Sequence, residues 1–148
     1  MNDDLSLTIR RRFPARRERV FALWTEKPRS PSEWWGPKDF TLVAQDGDLR
    51  PGGHWRLTMR GPDGAIHVNG GVYREVVRPE RLVMTHAWMD EAGQTVGPET
   101  LITVTLTEVA NGTEMLFEQT GFASAASRDG HGIGWGEAFD ALARALAR

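Results

Sequence analysis

At 148 residues the chain sits inside the usual domain range of roughly 100–150 residues, so one domain spanning residues 1–148 around one core is expected. Its 40% hydrophobic and 26% charged residues exclude wholesale disorder, and a formal charge of -2 with acids and bases interspersed gives no footprint for the phosphate contacts of a nucleic-acid partner. The absence of cysteine excludes disulfides, thiolate catalysis and cysteine-ligated metals.

From Leu5 to Phe13, apolar Leu5, Leu7, Ile9 and Phe13 alternate with polar positions, the pattern of a half-buried strand. Pro14 stands at a helix start, and Val20, Phe21 and Trp24 form an apolar stripe through Arg16 to Glu26. Three prolines and Trp34-Trp35-Gly36 make Lys27 to Pro37 a loop or broken helix. Strands follow over Phe40 to Leu49 and around Trp55, Leu57 and Met59, separated by Arg50-Pro51-Gly52-Gly53. Gly61-Pro62-Asp63-Gly64 is a turn into a strand over Ile66 to Val77, with a bulge expected at Asn69-Gly70-Gly71. Leu82 to Met89, Thr100 to Val109 and Glu114 to Thr120 complete the strands, with a loop over Asp90 to Pro98 and a hairpin turn at Asn111-Gly112. Gly121 to about Gly132 reads as small and flexible. From there Trp135, Ala138, Phe139, Leu142, Ala145 and Leu146 line one face of a terminal helix, with Glu137, Asp140, Arg144 and Arg148 opposite. The order β-α-β-β-β-β-β-β-α predicts an α+β layer arrangement of an antiparallel sheet with helices on one side.

That order resembles the helix-grip fold of the START and Bet v 1-like (SRPBCC) superfamily. Val20-Phe21-Ala22-Leu23-Trp24, Trp34-Trp35-Gly36-Pro37, Asp48-Leu49-Arg50-Pro51-Gly52-Gly53-His54-Trp55, Gly71-Val72-Tyr73-Arg74-Glu75, Pro79-Glu80-Arg81-Leu82 and Gly134-Trp135 are similar to the pattern of proteins related to the C-terminal domain of the heat-shock protein 90 ATPase activator. The resemblance spans nearly the whole chain. It implies a curved antiparallel sheet wrapped around a long C-terminal helix, enclosing a cavity for a hydrophobic ligand. The separate N-terminal domain that the eukaryotic activator carries is lacking, which weighs against a co-chaperone role.

Chemical motifs are sparse. His54, His67, His86 and His131 have no metal-ligand spacing, so neither a metal nor another cofactor is expected. No nucleotide loop occurs around Gly130-His131-Gly132-Ile133-Gly134-Trp135-Gly136, which reads as a hinge or gate before the last helix. There is no Gly-x-Ser-x-Gly elbow. Arg10-Arg11-Arg12 and Arg16-Arg17, diluted by Glu18, Asp3 and Asp4, read as a solvated face. No catalytic residue is assigned.

Six tryptophans against one tyrosine are an unusual aromatic balance that suits a ligand-lined cavity as well as a packed core, because indole supplies bulk together with a donor. The expected cavity residues are Trp55, Leu57, Met59, Tyr73, Met84, His86, Trp88, Ile102, Val104, Met115, Phe117, Gln119, Trp135 and Phe139, with Tyr73 and Gln119 as polar anchors. Binding of a small hydrophobic or aromatic molecule, for sequestration or stress response, is the leading reading. A cyclase- or dehydratase-like enzyme using His86 with Glu75 and a chaperone ATPase-stimulating interaction protein are the alternatives. No apolar run is long enough to span a membrane, and Met1-Asn2-Asp3-Asp4 does not open a signal peptide, so cytoplasmic residence is expected. Open sheet edges or the Trp34-Trp35 loop offer surfaces for a homodimer.

Overall fold

A computed structural model describes residues 5–147. Asp3, Asp4 and Arg148, which the sequence places on charged faces, lie outside the described residues. Seven strands, β1 Ser6–Phe13, β2 Thr41–Gly47, β3 His54–Arg60, β4 Ile66–Val77, β5 Arg81–Met89, β6 Thr95–Val109 and β7 Gly112–Thr120, form one antiparallel sheet in the order β1-β7-β6-β5-β4-β3-β2. Helix α1, Arg17–Thr25, interrupts the meander after β1, and helix α2, Ala125–Leu146, closes the chain. The sheet is open and curved, and with the long terminal helix it makes the helix-grip architecture.

The alternation in β7 explains how the sheet meets α2. Thr113, Met115, Phe117 and Gln119 are buried while Glu114, Leu116 and Glu118 are only partly covered, as expected where one face carries the core. Phe13, Val20, Phe21, Leu82, Ile102, Val104, Leu106, Phe139 and Leu142 join that core at 0–2% exposure. Burying a single side chain of this size contributes about 1.5–3 kcal/mol, so this cluster dominates the stability of the sheet-helix contact. The basic cluster is paired at the surface: Arg10 and Arg12 reach Glu114 at 3.0 and 3.4 Å, and Arg11 ties β1 to Asp140 of α2 at 2.8 Å. Such exposed pairs are each worth about 0–1 kcal/mol, which fits a solvated face.

Four local expectations are corrected. Helix α2 begins at Ala125, not near Gly132, because Ser124 caps it by accepting a hydrogen bond from the Ser127 N–H at 3.0 Å. The glycine-rich stretch is therefore helical. Pro14 lies ahead of α1, whose N-cap is Arg16. β6 already starts at Thr95, since Gly97 at φ 87 lets the strand absorb Pro98 near a register shift between His86 and Trp88 of β5. No shift of register falls at Asn69-Gly70-Gly71. It lies further along β4, between Tyr73 and Glu75.

Candidate functional site

Between the concave sheet, α1, the segment after α1 and the first half of α2 lies a cavity of about 840 Å³, inside the size range of small-molecule sites, roughly 300–1,000 Å³. All six tryptophans of the chain, Trp24, Trp34, Trp35, Trp55, Trp88 and Trp135, line it.

Two aromatic groups build the walls. On the helix side Trp24 meets Trp35 edge-on at 4.7 Å and stacks on Trp135 at 5.8 Å, while Trp135 packs on Phe117 at 4.6 Å and Phe139 at 5.5 Å. On the sheet side His86 lies 6.0 Å from Trp55, 5.5 Å from Trp88 and 5.9 Å from His131. Four of the indoles are fixed by their N–H donors, which hold large flat surfaces in place. Trp35 donates to the Leu23 carbonyl at 2.9 Å, Trp55 to the Thr85 carbonyl at 3.0 Å, Trp88 to His131 Nε2 at 3.2 Å and Trp135 to Gln119 Oε1 at 2.8 Å.

His131 Nε2 accepts from the Trp88 indole at 3.2 Å and its Nδ1 lies 2.8 Å from the Ser127 carbonyl, which holds the ring against the wall. Burial, and secondarily the neighbouring His131, push the pKa of His86 down to about 4, so His86 is neutral at neutral pH. Burial likewise pushes the Tyr73 phenol up, keeping it protonated. The lining also includes the charged side chains Glu26, Lys27, Glu33, Asp46, Arg56 and Glu137.

Of the residues singled out in the sequence, Trp55, Leu57, Met59, Tyr73, Met84, His86, Trp88 and Trp135 line the cavity. Ile102, Val104, Met115, Phe117, Gln119 and Phe139 do not: at 0–1% exposure they form the packed layer behind it. Gln119 is no free anchor, because its Oε1 accepts from Trp135 and its Nε2 donates to Thr100 Oγ1 at 2.9 Å. Thr100 passes the chain on to the His86 carbonyl at 3.3 Å. Glu75 does not reach His86 either. It follows the register shift in β4, pairs with Arg81 at 3.1 Å and lies outside the lining, so the two cannot work as an acid-base couple. Among the described residues no three His, Asp or Glu side chains converge on a metal-holding point, and no helix is long and apolar enough to cross a membrane.

Trp24, Trp34, Trp35, Asn69 and His131 line the cavity without having been singled out as cavity residues. Trp24 reads as core in a helical stripe, and Trp34 and Trp35 as loop. The available signal was the tryptophan count itself, which placed more indole in the chain than the core needed.

The family model for Activator of Hsp90 ATPase homolog 1-like protein matches residues 14–147. The chain belongs to that family. Among solved structures, this family member is similar to a protein of Arthrobacter aurescens, with 29% identity, a TM-score of 0.84 and coverage of 98% of this chain and 87% of that one. A protein of Mycobacterium smegmatis shares 28% identity at a TM-score of 0.80, covering 99% and 90% of the two chains. A Chromobacterium violaceum protein, 24% identical, has the same fold at a TM-score of 0.84 over 97% and 98%. A comparison with the curated proteins finds no match.

Proposed function

We propose that this activator-of-Hsp90-ATPase-like protein binds a small aromatic or largely apolar molecule in its cavity and holds it without transforming it. The observation that carries the reading is the convergence of all six tryptophans on one cavity of about 840 Å³. A core meant only to pack would close such a volume, since interiors are filled at crystal-like density and empty space forfeits dispersion contacts. Anchored indoles keep it open. Met59 and Met84 add unbranched, polarisable surface that adapts to an irregular guest. Both the family and the fold support the same kind of role, cavity binding of a hydrophobic compound.

The test is titration with the neutral fluorophore N-phenyl-1-naphthylamine. Saturable binding at one site, with energy transfer from tryptophan and strong weakening in Trp55→Ala and Trp135→Ala, is expected. Absence of saturable binding by the folded protein would overturn the reading.

A further inference from the structure

Three polar side chains that share one part of the cavity wall, Asn69, Tyr73 and His86, make no hydrogen bond to another described residue. Asn69 and His86 are 5% exposed and Tyr73 is 5% exposed. Their polar atoms are not sealed inside the protein but open onto the cavity, where a ligand group or water can pair with them. Part of the same wall is matched, as the Trp135, Gln119, Thr100 chain shows, whereas the buried Trp24 indole N–H also has no partner. The three orphans are also neighbours. Asn69 and Tyr73 share the inner face of β4 by strand alternation, opposite Trp88 and Met84 of β5, and His86 lies between those two partners on β5.

Resting on the cavity reading above, we infer that Asn69, Tyr73 and His86 form a polar subsite at the inner end of the cavity, which takes an uncharged hydrogen-bonding group of the ligand. The ligand class is thereby narrowed to neutral, flat aromatic molecules carrying a hydroxyl, carbonyl or amide, which the subsite favours over plain hydrocarbons and carboxylates. The amide of Asn69 offers donors and an acceptor, the Tyr73 hydroxyl offers one of each, and the neutral imidazole of His86 adds one of each. The two cations of the lining are engaged elsewhere, Lys27 with Asp46 at 3.9 Å and Arg56 with the Glu91 carbonyl at 3.1 Å. A carboxylate placed there would lose its hydration without gaining a counter-charge.

The experiment compares calorimetric titrations of the full chain with naphthalene, 2-naphthol and 2-naphthoate at neutral pH. We expect 2-naphthol to bind about tenfold or more tightly than either of the others, a difference of about 1.4 kcal/mol. In Tyr73→Phe and Asn69→Leu the advantage over naphthalene should shrink while naphthalene affinity is kept. Equal affinity for naphthalene and 2-naphthol, or variants that weaken both alike, would overturn the subsite and leave the apolar cavity standing. Failure of both to bind would remove the cavity reading as well. Melting temperature is the second readout: Asn69→Leu should hold it in the empty protein, since the amide makes no hydrogen bond to another described residue. A fall of several degrees with unchanged ligand preference would make Asn69 structural and overturn its role.

Discussion

Trp55 of β3 donates its indole N–H to the Thr85 carbonyl of β5, 3.0 Å away, across the intervening strand. Its cross-strand partner on that strand is Gly71. A side chain there would collide with the Thr85 carbonyl and hydroxyl. Glycine is thus required for β4 and β5 to come this close beneath the indole bond.

Gly71→Ala should consequently destabilise the fold by about 2 kcal/mol or more, as overpacking against backbone does. Trp55→Phe, which removes the donor but keeps an aromatic ring, should cost less, about 1 kcal/mol. Urea denaturation of the two variants ranks them. A Gly71→Ala protein as stable as the wild type would contradict the close approach.

The buried chain from Trp135 through Gln119 and Thr100 to the His86 carbonyl should make Gln119 costly to replace. Gln119→Leu strands the Trp135 N–H, and each orphaned buried group costs about 1–3 kcal/mol. The loss should also free the Trp135 ring, so the expected outcome is lower stability together with weaker binding of N-phenyl-1-naphthylamine. Denaturation and titration on the same variant check both.

Acid should weaken the protein through His86. Its folded pKa of about 4 lies below the unfolded value of about 6.5, so the unfolded chain takes up the proton first. The neutral histidine's contribution is complete above that unfolded value. It declines as pH falls towards about 4, reaching a loss of roughly 3 kcal/mol once both states are protonated. His86→Leu should flatten this part of the stability curve between those two pH values. An unchanged slope in the variant would place the burial of His86 in question.

The first half of α2 carries Gly130, Gly132, Gly134 and Gly136 in a helical segment beside the cavity. A Cβ at Gly130, Gly134 or Gly136 would meet open space, whereas at Gly132 it would press on Leu7. Alanine at the three open positions should therefore stabilise the helix by about 0.5–1 kcal/mol each. Stopped-flow measurement should show slower exchange of N-phenyl-1-naphthylamine if this soft half-helix opens for ligand passage.

The fold was largely legible because strand alternation and the stripe through Phe139, Leu142 and Leu146 report directly on which faces are buried. The start of α2 was not, since four glycines have low helix propensity and only the Ser124 cap and tertiary packing overcome it. Half of the cavity was legible for a similar reason. Period two shows that Met84 and His86 share a face with Trp88. It cannot show that β7, with Phe117 and Gln119, lies behind Trp135 rather than beside the open space. Trp24, Trp34 and Trp35 meet over the cavity only through the path of the chain after α1, which leaves no periodic trace. The pairing expected between His86 and Glu75 failed on one feature, the register shift between Tyr73 and Glu75.

The six indole N–H groups offer the most direct measurement. In a nitrogen-15 spectrum of the protein titrated with N-phenyl-1-naphthylamine, saturable shifts of the Trp24, Trp34, Trp35, Trp55, Trp88 and Trp135 side-chain signals are expected, with the Asn111-Gly112 hairpin amides unmoved. Indole signals that stay in place at saturating probe, or shifts confined to the surface, would contradict a ligand-holding cavity.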